Sequence, residues 1–202
     1  MYSTDKDIWE DYDFTTVVIL ENEGDKVYFR AKTENDVSFY KDYSNYYKFV
    51  AIDGKKVAAS GNMQTLMKAD GAKLDISGKT HCYSYMFSNC ISLTQAPALP
   101  AITLAEYCYE GMFYNCIYLT QAPELPAKTL TDNCYSYMFQ DCISLSSMDV
   151  SFTAWNPSSA TENWLFNAGT NASNPLFICP SALDILERDD SHVPNGWSIQ
   201  PK

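Results

Sequence analysis

Apolar positions along residues 82–145 return at one long, fixed interval. Cys82-Tyr83-Ser84-Tyr85-Met86-Phe87 recurs as Cys108-Tyr109-Glu110-Gly111-Met112-Phe113 and again as Cys134-Tyr135-Ser136-Tyr137-Met138-Phe139. Asn89-Cys90-Ile91-Ser92-Leu93 recurs as Asn115-Cys116-Ile117-Tyr118-Leu119 and as Asp141-Cys142-Ile143-Ser144-Leu145. Gln95-Ala96-Pro97-Ala98-Leu99-Pro100 recurs as Gln121-Ala122-Pro123-Glu124-Leu125-Pro126. Every offset is 26 residues. A fixed period of this size marks units that each bury an apolar side against the next. The invariant positions are Cys, Met, Phe, Cys, Ile, Leu, Leu and Pro, mostly types found inside proteins. The changing positions are Ser84/Glu110/Ser136, Tyr85/Gly111/Tyr137, Ser88/Tyr114/Gln140 and Ser92/Tyr118/Ser144. Solvent tolerates varying polarity, so these columns are expected to face outward.

The flanks carry other patterns. Thr15 to Leu20 is rich in β-branched residues and reads as a strand. Lys26 to Ala31 alternates and reads as a second strand, after a turn at Glu23-Gly24-Asp25. Residues 33–45 are polar and read as a loop. Tyr46 to Ile52 and Lys55 to Ala59 are expected to form a hairpin around Asp53-Gly54. Asn62 to Lys68 reads as a short helix, Lys73 to Ile76 as a strand, and Pro180 to Arg188 as a short helix. Trp155, Trp164, Leu165, Phe166 and Trp197 can supply buried area for a segment closing the far end.

The MF…NC-x-x-L half followed by L-P-A-x-T-L resembles the BspA-like leucine-rich repeats of surface proteins from oral and gut anaerobes, over residues 62–150. The segments Gly24 to Arg30 and Ala59 to Asn62 resemble the β-rich part that precedes such repeats. Cys179-Pro180 through Trp197 resembles the part that closes them. The resemblance implies a mainly β fold with short helices (α+β). Its centre would be a short leucine-rich-repeat solenoid of about three to four coils over residues 61–150. An N-terminal β-rich segment, residues 1–60, and a C-terminal mixed cap, residues 151–202, would close its ends. The family implies adhesion or host interaction.

Charge narrows the partners. The chain of 202 residues has a formal net charge of −11. Residues 81–150 hold six acids against one base, Lys128. Such a surface repels nucleic acid phosphates and anionic membrane leaflets, so direct binding to either is excluded. It attracts a basic protein surface. No apolar run reaches the roughly 18 residues that a membrane span needs. Residues 1–13 lack the basic start and apolar stretch of a signal peptide. A cytoplasmic location is expected if Met1 is the natural start, and a cell-surface or secreted one if the chain is part of a longer exported protein.

The seven cysteines carry no C-x-x-C spacing, so the usual zinc signature is absent. The columns 82/108/134 and 90/116/142 hold odd numbers, and stacked side chains point the same way, which disfavours disulfides. They read as small buried hydrophobes with free thiols. Nucleophilic catalysis by cysteine wants a nearby histidine. His81 adjoins Cys82, but the equivalent positions are Tyr107 and Asn133, so packing explains the column better. No P-loop, G-x-G-x-x-G, H-E-x-x-H or G-x-S-x-G occurs, and no cofactor or metal is implied.

Fifteen tyrosines are many for this length. Tyr83, Tyr85, Tyr107, Tyr109, Tyr114, Tyr118, Tyr135 and Tyr137 lie in the repeats, and either they form an interface or half of them pack between units. Tyr85, Glu110, Tyr114, Tyr118, Glu124 and Tyr137 are the candidate partner-binding residues. The function expected is a non-catalytic module presenting this tyrosine-rich acidic surface to a protein or glycan. The alternative is a phage- or mobile-element-encoded cytoplasmic acidic inhibitor that blocks a basic, nucleic-acid-handling host enzyme.

Overall fold

The computed structural model describes residues 2–8, 10, 22, 24–29, 40–42, 45–46, 49, 55–66 and 75–202. Residues 81–89, 107–115 and 133–141 of its repeats are neither helix nor strand. His81, Tyr85 and Asn89 hold φ of 57, 55 and 60°, and Tyr107, Gly111 and Asn115 hold 57, 55 and 56°. Asn133, Tyr137 and Asp141 hold 54, 55 and 60°. A left-handed residue at every fourth position breaks both an α-helix and an extended strand.

The amides between them follow a two-way rule. Cys82, Ser84, Met86, Ser88 and Cys90 donate to the carbonyl three residues back, at 3.0–3.3 Å. His81, Tyr83, Tyr85, Phe87 and Asn89 donate to Glu106, Cys108, Glu110, Met112 and Tyr114 of the next repeat, at 2.7–3.1 Å. Tyr107 to Asn115 repeat the second set onto Asp132 to Gln140, and Tyr135 to Asp141 repeat it onto Ala160 to Phe166. This ribbon of turns thereby satisfies its backbone donors without a regular element.

Side chains stack at the same interval. Tyr83, Tyr109, Tyr135 and Trp164 form one column, with ring centroids 5.6, 6.0 and 6.3 Å apart. Phe49, Phe87, Phe113 and Phe139 form another, at 5.2, 5.6 and 5.5 Å. Offset-stacked rings at these separations add to the burial term. The core is continuous from Met63 to Trp197.

The regular structure among the described residues is small. There are nine strands: β1 (Tyr2–Ser3), β2 (Tyr28–Phe29), β3 (Tyr40–Asp42), β4 (Asn45–Tyr46), β5 (Val57–Ala58), β6 (Leu93–Gln95), β7 (Ser147–Asp149), β8 (Leu176–Cys179) and β9 (Ser198–Pro201). They form four small sheets: the antiparallel pairs β1–β2 and β3–β4, the parallel pair β5–β6, and the parallel three-stranded sheet β7–β8–β9. Two 3-10 helices, Met63–Leu66 and Ser158–Thr161, complete the set.

The α+β leucine-rich-repeat solenoid expected from the resemblance is therefore corrected. The described residues hold no α-helix, and short strands in small sheets replace the stacked strands expected. The physical reason is the left-handed residue every four positions, which permits turns only. Local expectations change too. Residues 33–45 were expected as a loop, yet Tyr40–Asp42 pairs with Asn45–Tyr46. Of the hairpin expected over 46–59, residues 47, 48 and 50–54 lie outside the described residues, and β5 pairs in parallel with β6. The strand at Thr15 to Leu20 also lies outside them. Within the helix expected at Asn62 to Lys68, Met63–Leu66 is a 3-10 helix, and Met67 and Lys68 lie outside the described residues. In the strand expected at Lys73 to Ile76, Asp75 makes one parallel bridge to Thr103.

The helix at Pro180 to Arg188 does not form. Asp184 and Asp189 instead bond the amides of Leu186, Ser191 and His192. Such aspartate turns compete with helical bonding. The Arg188 guanidinium donates to the carbonyls of Val193, Pro194 and Trp197, which holds the segment in a loop.

Candidate functional site

In the ribbon the left-handed residues point away from the core, and the residues between them point in. This corrects several columns. Ser84, Glu110 and Ser136 were expected outside but are buried, as are Ser88 and Ser92. Ile91 was expected inside and is 45% exposed. Tyr118 is 47% exposed, Tyr114, Gln140 and Ser144 are half-buried, and the column Tyr85, Gly111, Tyr137 holds two half-buried tyrosines around a buried glycine.

Gly111 interrupts that column. A β-carbon on it would lie 2.2 Å from Tyr85 Cε1 and 2.5 Å from Cδ1. The Tyr85 ring thus lies across the Gly111 backbone, into the next repeat. Its hydroxyl there donates to Glu110 Oε1 at 3.2 Å. Two repeats on, Tyr137 does the same: its hydroxyl donates to Glu162 Oε1 at 3.2 Å. Beside these rings lies an open cleft of about 400 Å³, lined by Tyr85, Ser88, Asn89, Tyr114, Tyr137 and Gln140.

Glu110 gives the cleft its electrostatics. Ser84 and Ser136, its counterparts, return their hydroxyls to the carbonyls of Tyr107 and Asn133. The longer glutamate instead meets Tyr85, and its Oε2 is buried without a hydrogen-bond partner. Burial raises the Glu110 carboxyl above its ordinary range, and the Tyr85 bond partly offsets this. The Tyr137 phenol is also raised, first by burial, then by Glu162, with a smaller contribution from the Glu110 charge. The carboxylate therefore bears on both ring walls.

Of the six candidate residues, Tyr85, Tyr114 and Tyr137 line the cleft and Glu110 sits behind Tyr85. Tyr118 and Glu124 are exposed and lie outside the lining. Tyr118 carries the Lys56 ammonium 5.0 Å from its ring centroid. Tyr83, Tyr109 and Tyr135 belong to packing, being almost wholly buried. Asn89 was missed as a site residue. Its signal was the series Asn89, Asn115, Asp141, Asn167, the residue types that best tolerate positive φ. The series is a side-chain ladder, with Asn115 Nδ2 donating to Asn89 Oδ1 and Asn167 Nδ2 to Asp141 Oδ1, both at 2.9 Å.

All seven cysteines are buried and unbridged. Cys116 and Cys142 donate to the carbonyls of Phe87 and Phe113 at 3.2 and 3.1 Å. Burial pushes the Cys134 and Cys142 thiols up to about 12 and raises Cys108 and Cys116 as well. Thiolate is the nucleophile, so these groups are inert near neutral pH. Among the described residues, Glu187, Asp189 and His192 form the one group whose ligand atoms lie within 4.8 Å of one another. Both His192 ring nitrogens already face these carboxylates, at 3.2 and 2.8 Å, as in a surface ion pair. No described helix is long and apolar enough to cross a membrane. No family model, curated protein or solved structure matches the chain.

Proposed function

We propose that this chain is a non-catalytic binding module that seats a protein partner in the cleft between Tyr85, Tyr114 and Tyr137. One observation carries the reading: tyrosines from three successive repeats line one open cleft. Tyrosine offers large contact area with little conformational entropy to lose, which is why it concentrates in binding surfaces. Tyr85 and Tyr137 are further fixed by their bonds to Glu110 and Glu162, so less ordering is needed on binding. The inert thiols support the non-catalytic part of the reading. The resemblance to BspA-like repeats supports an adhesion or host-interaction role.

The test is selection of peptides from a displayed random library on the immobilised chain. Selected peptides are expected to bind the wild type and to lose at least about tenfold in affinity with Tyr114→Ala, as truncation of a central aromatic anchor costs ~2 kcal/mol or more. Tyr118→Ala is expected to have little effect. Peptides indifferent to Tyr114→Ala would move the binding surface elsewhere. Failure to select any peptide, with glycans binding instead, would change the partner class.

A second reading rests on the charge of residues 81–150, six acids against Lys128. It makes the chain an acidic inhibitor filling the basic groove of a nucleic-acid-handling enzyme. That complex would weaken steeply with salt. The two readings part at Tyr114→Ala, which the cleft reading expects to weaken the complex and the charge reading does not.

A further inference from the structure

We infer that the group seated in this cleft is the guanidinium of an arginine, presented by a basic segment of the partner protein. The inference rests on the binding reading above and names the chemistry of the ligand. Three features of the cleft point the same way.

The first is the wall. Tyr85, Tyr114 and Tyr137 line the cleft, and aromatic rings attract cations. The chain already uses this pairing: Lys56 sits over Tyr118 at 5.0 Å, and Lys6 over Tyr28 at 4.5 Å. Among the described residues, no lysine, arginine or histidine lines the cleft itself.

The second is the carboxylate behind the wall. Glu110 is 6% exposed, and its Oε2 has no hydrogen-bond partner. A buried acceptor left unmatched is unfavourable, and a positive charge entering nearby relieves it. The Tyr85 hydroxyl, donating to Oε1, links that charge to the ring. Donation toward a carboxylate enriches the phenol ring in electrons, which strengthens its hold on a cation. The titratable groups that bear on Glu110 are the phenols of Tyr85 and Tyr137.

The third is the polar edge. Asn89 and Gln140 add two side-chain amides to the lining, and the buried Ser88 hydroxyl there accepts from Asn89 Nδ2. Asn89 Oδ1 accepts from Asn115 Nδ2 and keeps a second lone pair. A planar guanidinium carries five donors, stacks on aromatic faces and is weakly hydrated. It fits ring walls with acceptors at the edge better than a strongly hydrated ammonium does.

The probes are N-acetyl-arginine methylamide and its neutral isostere N-acetyl-citrulline methylamide, titrated into the full chain and followed by NMR. The arginine probe is expected to shift Tyr85, Tyr114 and Tyr137 resonances and to bind about tenfold more tightly than the citrulline probe. Glu110→Gln keeps the side chain's size and is expected to cut that preference to about twofold. Tyr85→Phe keeps the ring, removes the link to the carboxylate, and is expected to give an intermediate preference. Equal binding of the two probes, no binding of either at the cleft, or an undiminished preference in Glu110→Gln would each overturn the inference. The binding reading falls separately, through peptides that ignore Tyr114→Ala. Peptides that need Tyr114 but tolerate arginine-to-citrulline exchange would leave that reading standing and remove this one.

Discussion

Gly111→Ala tests how the cleft is built. The residue holds φ of 55°, where an L side chain is strained by roughly 1–2 kcal/mol. The new methyl would also sit 2.2 Å from Tyr85 Cε1, so the ring must swing away. That breaks the Tyr85–Glu110 bond and leaves a buried carboxyl with neither oxygen matched. Losing a hydrogen bond to a charged group costs about 1.5–3 kcal/mol. Together these give a destabilisation of about 2.5–5 kcal/mol, or a fall in Tm of roughly 5–20 °C for a chain this long. Urea unfolding of Gly111→Ala, Tyr85→Ala and the double variant measures it. Once Tyr85 is truncated there is no ring to displace, so the same glycine change should cost only the backbone share, about 1–2 kcal/mol. Equal costs in both backgrounds, or a cost below about 0.5 kcal/mol for Gly111→Ala alone, would refute the packing of Tyr85 on Gly111.

Three further outcomes follow from buried groups. Tyr109→Phe removes a buried hydroxyl that has no partner, so stability should hold or rise by about 1 kcal/mol, whereas Tyr83→Phe should lose about 1 kcal/mol. Equal losses in urea unfolding would contradict this. Burial raises the folded-state pKa of Glu110 above its ordinary 4.5. Its stabilising contribution is therefore full below that value and lost as pH rises through the folded pKa. Urea midpoints of wild type and Glu110→Gln between pH 4 and 8 should shift in favour of the variant as pH rises, and a gap independent of pH would count against a buried acid. A thiol reagent at neutral pH should find almost no reactive cysteine in the native chain and seven after unfolding. Rapid native labelling of even two would contradict the packing of the cysteine columns.

The repeat period was legible because identical residues recur at an identical offset, and that offset reappears in the aromatic columns and in the cysteine rows. The local backbone was not legible. Propensity rules weigh helix against strand, and neither describes a ribbon that turns left-handed at every fourth residue. The clue lay in Asn89, Asn115 and Asp141, but at Tyr85, Tyr107 and Tyr137 an aromatic holds the same conformation against its preference. Inter-repeat hydrogen bonds enforce it there, and those exist only after stacking. The same gap misplaced Ser84, Glu110 and Ser136. Varying polarity suggested an outward column, yet serine can turn its hydroxyl to the backbone and stay inside. Tyr85, Tyr114 and Tyr137 were readable as candidates. Their convergence on one cleft was not, because it depends on how the repeats stack and on the Tyr85 ring lying over Gly111.

The most direct test of the central claim is an amide and side-chain NMR map of the chain with a selected peptide bound. The perturbed resonances should cluster on Tyr85, Ser88, Asn89, Tyr114, Tyr137 and Gln140. A cluster on the β7–β8–β9 sheet, with those six unmoved, would contradict it.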